Sequence, residues 1–480
     1  MKKILIISSL FFLMLSCKKE EEVATYEYQL DEVTLEVNDF IWKAMNTYYL
    51  WKEEIPVLAD DYFEDKEERL QYLDQFPDPA VFFESLIYDR EHIDRWSWIV
   101  DDYVALQLYF QGVKKSTGMR IGLVYEPGSS EYIFAYVRYV LPDSDAENKG
   151  MERGNVFRKI NGERLTVNNY RELLNSDVLN IELADWNGSA LEDTGVNVEL
   201  VKTELNENPV YITKVLEADG KKIGYLMYNG FTYTYNTELN NAFAYFKNEN
   251  IDELVVDLRY NPGGSVSTMQ YLASMITGQF NNEIFLRYQW NQKIQNLLEN
   301  NYPDRLYRTF TDVMDTGESL NQLYLNKVHI IATSSSASAS ESLINCLRPY
   351  IDVVQFGTTT HGKYTASVTL YDSPDFSSQN VNPDHTWAIQ PIVLKISNVN
   401  YESDFINGLE PDYFQRENYA DLGVLGDENE PMLHTVLEYI SGDTSSTSAR
   451  PGAPLDELYF VEKPFEDNQY IDQPGIQIEK

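Results

Sequence analysis

The sequence predicts a multidomain α+β protein with a helical N-terminal domain, a β-rich domain and an α/β core containing a mostly parallel sheet. Its 480 residues are enough for two to four domains. Apolar residues recur at helical spacing over residues 30–101, whereas residues 102–205 alternate at period two. Strand and helix patterns then alternate over residues 206–440, which favours a parallel sheet with its site at the carboxyl ends of the strands.

The helical domain is predicted from two apolar stripes. The first contains Phe40, Ile41, Ala44, Met45, Tyr48 and Tyr49 and ends before Pro56, and the second begins after Pro79. The aromatic segments 48–51 and 95–98 are expected to pack against a neighbouring domain rather than to bind a ligand.

In the β-rich domain we predict strands over residues 120–125, 132–140 and 196–201 and a helix over 167–174. In the core we predict strands over 223–228, 253–258, 328–332 and 353–357 and helices over 237–248, 266–276 and 432–440. Residues 280–321 are interpreted as an aromatic-rich insertion. Residues 441–480 are predicted to be a flexible linker and an acidic tail that is disordered or adds one strand.

The charge balance argues against nucleic acid as a partner. The chain carries 76 acidic and 38 basic residues, a formal charge of −38, which disfavours binding to phosphate backbones and anionic lipid surfaces. Its five histidines lack the spacing of metal ligands. We therefore expect no metal and no other cofactor.

The N-terminus resembles a bacterial lipoprotein signal. Two lysines precede an apolar run from Ile4 to Leu15 that is too short to span a bilayer, and Cys17 follows. The resemblance implies a signal peptide over residues 1–16, acylation of Cys17 that anchors the chain to outer-membrane lipid, a periplasmic or surface-facing location, and a charged tether over 17–29. The other cysteine, Cys346, is predicted to be a buried helical residue.

A serine-rich stretch joins a predicted strand to a predicted helix. The apolar run 328–332 is followed by small hydroxyl residues and then by apolar residues at helical spacing over 341–347. This places Ser338 at a helix N-terminus, where free N–H groups can stabilise a developing oxyanion. Ser338 and Glu341 also have the spacing of a capping box, so a purely structural role stays open.

A glycine turn follows the predicted strand 253–258. The segment Arg259-Tyr-Asn-Pro-Gly-Gly-Ser265 lacks the lysine of a P-loop and the spacing of a dinucleotide-binding turn, so nucleotide binding is disfavoured. A turn whose glycine allows a backbone N–H to face a substrate carbonyl fits it better.

Three separated motifs resemble the C-terminal processing peptidases, also called tail-specific proteases. They are Asp257-Leu-Arg-Tyr-Asn-Pro-Gly-Gly264, Ser336-Ala-Ser-Ala-Ser-Glu341 and Gly362-Lys363. The resemblance implies a core of the crotonase-like ββα type and a serine endopeptidase with a Ser-Lys dyad. It assigns the nucleophile to Ser338 and the general base to Lys363, twenty-five residues later. The implied oxyanion donors are the backbone N–H groups of Gly263, Gly264 and Ala339. The implied supporting residues are Ser367, Glu341 and Asn261.

The residues themselves leave a rival base open. His361 would share one side of an extended loop with Lys363. A lysine serves as a base only when it is neutral, which requires burial of the amine to lower its pKa from about 10.4 to about 7–8. Ser336 and Ser340 lack the family's spacing to the lysine and are interpreted as framing residues.

Residues 140–166 resemble the core of a PDZ domain of the bacterial protease type. The resemblance implies that the loop from Thr117 binds a peptide carboxylate and that the peptide adds a strand to the sheet edge. The implied partners are proteins or peptides with free C-termini. The implied contact residues are Gly118, Met119, Arg120, Ile121 and Gly122. Asp145 and Asn155 depart from the usual residues of this motif.

Two further departures leave alternatives to the enzyme. Family members commonly carry glutamine where this chain has Ser367, and some carry aspartate where it has Pro349; Ser367, Thr365 or backbone groups would then orient the lysine. One alternative is a catalytically weak, peptide-binding surface lipoprotein, and another is a lipoprotein whose aromatic residues capture glycans. The sequence does not define the oligomeric state.

Overall fold

A computed structural model describes residues 26–442, 455–458 and 470–471. The predicted signal peptide, Cys17, most of the tether and residues 443–454 of the linker lie outside the described residues. None of the helices within the described ranges combines the length and the apolar character needed to cross a bilayer.

The first part of the chain is mainly helical and is joined to the core by strand pairing between β1 (Trp98–Val100) and β19 (Ala388–Gln390). α1 contains both the predicted apolar face and the acidic N-cap Asp31, whose side chain accepts from the Thr34 N–H. Tyr48 and Tyr49 are fully buried in one apolar cluster shared with the core. Short 3-10 turns occupy Lys52–Glu54 and Pro56–Leu58. The elements are α1 (Glu32–Tyr48), α2 (Lys66–Leu73), α3 (Pro79–Ser85) and β1 (Trp98–Val100).

The second domain is β-rich and has its own apolar cluster. Its elements are α4 (Tyr103–Phe110), β2 (Val113–Ser116), β3 (Met119–Tyr125), β4 (Ile133–Val140), α5 (Asp145–Asn148), β5 (Val156–Ile160), β6 (Glu163–Arg164), α6 (Tyr170–Asn175), β7 (Val178–Trp186), β8 (Leu191–Val201) and β9 (Thr203–Asn206). Its main sheet has the order β3-β4-β5-β7-β8, with β6 beside β5, and every pairing in it is antiparallel.

The third domain is the α/β core. Its elements are β10 (Val210–Ala218), β11 (Lys221–Tyr228), α7 (Asn236–Glu249), β12 (Glu253–Asp257), α8 (Val266–Ile276), β13 (Ile284–Trp290), α9 (Gln292–Asn301), β14 (Tyr307–Thr309), β15 (Lys327–Ala332), α10 (Ala339–Leu347), β16 (Asp352–Gly357), β17 (Thr365–Ser367), β18 (Leu370–Tyr371), β19 (Ala388–Gln390), β20 (Ile392–Ser397), β21 (Tyr413–Phe414) and α11 (Pro431–Ile440). Short 3-10 turns occupy Tyr233–Tyr235 and Pro303–Leu306.

The core contains two larger sheets rather than one. A six-stranded sheet has the order β10-β11-β12-β15-β16-β21, with four of its five pairings parallel. A four-stranded antiparallel sheet has the order β14-β13-β20-β17, and a smaller antiparallel sheet has the order β1-β19-β18. The prediction of a mostly parallel sheet therefore describes one sheet of the core, and the sheets of the molecule taken together are largely antiparallel.

The segment interpreted as an insertion is part of the second core sheet. It forms β13, α9 and β14, and β13 pairs with β20, about a hundred residues later in the chain. The tail contributes β22 (Glu457–Leu458), which pairs with β3 and is the added strand that the sequence allowed.

Candidate active site

Ser338 lies between β15 and α10 and has an unusual backbone. It is the N-cap of α10, it is fully buried, and its φ of 63° and ψ of −111° lie outside the conformations common for non-glycine residues. Such strain persists only where surrounding contacts impose it, and it is concentrated at functional sites. This unusual backbone conformation distinguishes Ser338 from the neighbouring serines.

The flanking serines bind backbone carbonyls of the glycine-turn motif. The Ser336 hydroxyl donates to Leu258 O at 2.7 Å, and the Ser340 hydroxyl donates to Asn261 O at 2.9 Å. These two bonds fasten the serine turn to the segment after β12.

The glycine turn lies directly against Ser338. Gly263 has a φ of 111°, and a Cβ at this position would lie 2.8 Å from Ser338 Cβ and 3.1 Å from the Ala339 nitrogen. The Gly263 N–H donates to Asn261 Oδ1 at 2.9 Å, and Asn261 Nδ2 donates to Tyr228 O. An oxyanion at Gly263 would therefore compete with the Asn261 amide, which leaves Gly264 and Ala339 as the more available donors.

Glu341 connects the serine to the lysine. Its Oε2 atom accepts from the backbone N–H of Ser338 and from that of Lys363, each at 2.8 Å. The two nitrogen atoms are therefore no farther apart than twice that length. Its Oε1 atom accepts from the Gly362 N–H at 2.6 Å and from the Thr360 hydroxyl at 2.5 Å. The capping carboxylate thus also holds the lysine loop.

Lys363 is buried beside an indole from the helical domain. Lys363 is only 1% exposed, and its Nζ atom lies 5.7 Å from the centroid of the Trp96 ring. Gly362 permits the turn before it, because its φ is 97° and a Cβ would lie 2.1 Å from Ile406 O. Trp96 was predicted only to pack between domains, so its place beside the lysine is a feature that sequence reasoning missed.

His361 is a poor candidate for the base. Burial, together with the positive charges of Arg95 and Lys363, lowers the pKa of His361 to about 3. An imidazole with this pKa holds a proton weakly and is a weak base near neutral pH. The Trp96 ring packs edge-on against it at 6.2 Å between centroids.

Ser367 is fully buried and contacts a residue that the sequence did not single out. Gln390 Nε2, from β19, donates to Ser367 Oγ at 3.1 Å, and Thr369 donates to Gln390 Oε1. The side chain of Gln390, on a different strand, thus contacts Ser367, the position four residues after Lys363. The Thr365 hydroxyl is buried and has no hydrogen-bond partner among the described residues. Pro349 lies beyond the far end of α10.

Glu341 gives the fold a specific pH dependence. Burial raises the pKa of Glu341 to about 7 from 4.5, although the Thr360 hydroxyl and three backbone N–H groups oppose this shift. Between pH 4.5 and 7 the folded chain keeps a proton that the unfolded chain has lost. We therefore expect the contribution of this group to the unfolding free energy to decrease as pH rises through that window and to stay constant above it.

Urea unfolding of the wild type and Glu341→Gln at several pH values measures this contribution. The difference in unfolding free energy, wild type minus variant, should decrease between pH 4.5 and 7. A difference that rises or stays flat over that range contradicts the assigned pKa.

The predicted peptide-binding loop is closely packed. Gly118 has a φ of 88° and lies against Ser144, where a Cβ would clash. The N–H groups of Gly118 and Met119 donate to the hydroxyls of Ser116 and Thr117. These two donors are therefore engaged within the loop.

The rest of the predicted peptide-binding stretch lies on β3. Arg120 forms a partly buried ion pair with Glu207, where burial opposes ionisation but Arg120 and Lys114 hold the pKa of Glu207 at about 2. Ile121 and Gly122 follow on the strand, and Gly122 allows the Tyr136 ring to pack closely against the backbone.

A buried ionic network includes residues of the glycine-turn motif. The Arg259 guanidinium is fully buried and donates to Asp257 and Glu430. Arg153 of the β-rich domain donates to Glu417 and to the Tyr260 hydroxyl, both at 2.7 Å. Because unpaired buried charges are costly, removing one partner would destabilise the turn. The bond from Arg153 to the Tyr260 hydroxyl joins the β-rich domain to the core within the glycine-turn motif.

The described residues 26–442, 455–458 and 470–471 contain no group of three or more His, Cys, Asp or Glu side chains suited to a metal ion. The chemistry available at the site is a strained serine, a buried lysine and backbone donors at a glycine turn and a helix N-terminus. This combination suits acyl transfer by a serine nucleophile.

Comparison with known proteins agrees with this chemistry. The sequence profile of Peptidase family S41 matches residues 222–413, and the profile of the Peptidase S41 N-terminal domain matches residues 36–98. The first contains the glycine turn, the serine turn and Lys363. The second covers most of the helical domain.

Individual proteins are similar over much of the chain. The carboxyl-terminal-processing protease of Picosynechococcus sp. is 23% identical over 358 residues, 72% of this chain and 74% of that protein. Carboxyl-terminal-processing peptidase 3 of Arabidopsis thaliana is 25% identical over 231 residues, 46% of this chain and 41% of that protein. A crystal structure assigned to the S41 proteases, from Bacteroides fragilis NCTC 9343, has 26% identity and a TM-score of 0.62, and it covers 84% of this chain and 97% of that one.

Two profiles of one family thus match on either side of the β-rich domain, and the larger match includes the strained serine and the buried lysine. The chain belongs to peptidase family S41 and is a serine peptidase.

Proposed function

We propose that this chain is an endopeptidase of the C-terminal processing type that cleaves proteins through a Ser338–Lys363 dyad. The observation that carries the proposal is the bridge by Glu341, whose single oxygen atom accepts from the N–H groups of both residues. This bridge fixes the loop that carries the lysine against the turn that carries the serine. Two motifs twenty-five residues apart in sequence are thereby adjacent in the fold.

In the proposed mechanism, the neutral Lys363 amine takes the proton of the Ser338 hydroxyl as its oxygen attacks the peptide carbonyl. Burial of the amine favours its neutral form, because a buried ammonium lacks the solvation it has in water. The ammonium then returns the proton to the departing amine, and water hydrolyses the acyl-enzyme in a second step.

Backbone N–H groups would stabilise the tetrahedral intermediate. The Ala339 N–H lies at the N-terminus of α10, where the helix dipole favours a negative charge. The Gly264 N–H, in the turn beside Ser338, has no acceptor among the described residues. The closeness of Gly263 to Ser338 keeps the two donors around one position.

We propose that the β-rich domain acts as a PDZ-like module that holds the C-terminus of the substrate. The antiparallel order of its sheet and the loop before β3 support this assignment. Because the N–H groups of Gly118 and Met119 donate to loop hydroxyls, a carboxylate would have to displace Ser116 and Thr117 from them.

A peptide-cleavage assay with matched termini tests this function. An unstructured peptide with a free, apolar C-terminus should be cleaved, and the same peptide with an amidated C-terminus should be cleaved with a higher KM, because the loop would lose its charged ligand. Binding without cleavage would support the alternative of a peptide-binding lipoprotein. Equal KM values for the two peptides would show that the loop does not bind the carboxylate of the substrate.

We also propose that Cys17 is acylated and anchors the enzyme to the outer membrane. The proposal rests on the signal-like sequence before Cys17. Membrane fractionation of cells expressing the wild type or Cys17→Ser tests it, since only the variant should lose membrane association. Equal distribution of the two chains would argue against the anchor.

A further inference from the structure

Residues 470–471 of the acidic tail lie between the glycine turn and β17. The Tyr470 N–H donates to Gly264 O at 3.2 Å, and the Val266 N–H donates to Tyr470 O at 3.2 Å. On the other side, the Ile471 N–H donates to Ser367 O at 3.1 Å. One dipeptide thus pairs with the glycine turn and with β17, as an added strand would.

The side chains of this dipeptide are well seated. Tyr470 is 9% exposed, and its ring lies 4.6 Å from that of Phe110. It lines a cavity together with Phe231, Gly263 and Gly264, and Ile471 packs into the main apolar cluster. The contact is therefore a formed binding site for an extended chain rather than a surface touch.

A second piece of the tail pairs with the edge strand β3 of the PDZ-like domain. β22 pairs antiparallel with β3, so that Glu457 faces Val124 and Leu458 faces Leu123. In this register the tail runs toward the predicted carboxylate-binding loop, the direction expected for a bound C-terminal peptide. The Glu457 carboxylate also accepts from Tyr136 at 2.7 Å and from Ser334, in the serine turn, at 3.0 Å.

We propose that residues 455–458 and 470–471 of the tail act as an internal ligand that occupies the peptide-binding edge of β3 and the cleft at the glycine turn, so that a substrate must displace them. The inference rests on the proposed peptidase function, because it assigns the two occupied edges to substrate. It makes the tail a competitor whose release exposes the site.

The nature of the contacts favours an exchangeable ligand. The bonds at Gly264, Val266 and Ser367 all involve the backbone of the tail, so any extended polypeptide without proline there could make them. The Asn229 amide, buried in the same cavity, has no hydrogen-bond partner for either of its polar atoms among the described residues. With the tail in place, both polar atoms of the Asn229 amide thus stay available for hydrogen bonds to a different side chain in the cavity.

The full-length double variant Tyr470→Pro/Ile471→Pro tests the proposal, because proline removes both donating N–H groups. Binding is measured in a Ser338→Ala background by fluorescence anisotropy of a fluorescein-labelled synthetic peptide with the sequence of residues 455–471. We expect Kd to decrease about 10-fold relative to the chain with an intact tail. Tyr470→Phe is the matched control, since it keeps the backbone N–H and the aromatic ring, and its Kd should equal that of the intact tail.

An unchanged or higher Kd for the double variant, with a melting temperature close to that of the control, overturns the proposal and makes the tail a permanent part of the fold. If its melting temperature drops, Ile471→Pro alone replaces it in the same comparison, because this variant leaves the Tyr470 contacts in place. This binding readout is independent of turnover. Failure of the peptidase function would instead appear as absent cleavage by the wild type and by the double variant with Ser338 intact.

Discussion

Lys363→Ala should reduce kcat/KM for peptide cleavage by about 10⁴-fold, the scale of losing a general base that acts as a unit with its nucleophile. Alanine removes the buried amine but keeps the backbone N–H that donates to Glu341. The loop should therefore stay in place, and the melting temperature should change little. Initial rates with a fluorogenic peptide, measured beside thermal melting, separate the loss of chemistry from the loss of fold.

His361→Asn is the matched control for this experiment. The pKa of His361 is lowered to about 3, so we expect the variant to retain cleavage within about 3-fold of the wild type. The reverse pattern, with Lys363→Ala active and His361→Asn inactive, would transfer the role of the base to the histidine.

Gly263→Ala should lower kcat by about 10²–10³-fold, the scale of losing an oxyanion donor. The new Cβ would lie 2.8 Å from Ser338 Cβ and 3.0 Å from Ala337 O, and the φ of 111° is unfavourable for alanine. The serine turn and the glycine turn must then separate, which moves both the nucleophile and the backbone donors. Steady-state kinetics at saturating substrate measure this effect, because it should appear in kcat.

Gly317→Ala controls for backbone strain alone. Its φ is 87°, and a Cβ there has no neighbour among the described residues within 4 Å. It should destabilise the fold by about 1 kcal/mol without changing kcat. If Gly263→Ala folds and cleaves at the wild-type rate, the turn does not shape the oxyanion site.

Local patterns predicted the elements that position the site. The helix predicted over residues 266–276 is α8, and the strand before the serine turn is β15 with one more residue at its start. Strong apolar periodicity and a serine N-cap define these elements within a few residues of chain. The positions of Ser338 and Gly263 follow from them, because both lie where a strand gives way to a helix.

Long-range contacts were not predictable in the same way. The pairing of β13 with β20 joins segments about a hundred residues apart, and no local pattern records such a register. Trp96 and Gln390 reach the site from the helical domain and from β19, and each is a common residue type in an ordinary context. The second role of Glu341 was also hidden, since its spacing to Ser338 indicates only a cap.

The central claim is that Ser338 is a nucleophile activated by Lys363. Reaction with a fluorophosphonate, followed by proteolysis and mass spectrometry, tests it most directly, because the reagent bonds only to an activated hydroxyl. We predict a single adduct on Ser338 in the wild type and in His361→Asn, and none in Lys363→Ala. An adduct on another serine, or equal labelling of Lys363→Ala, would contradict the account.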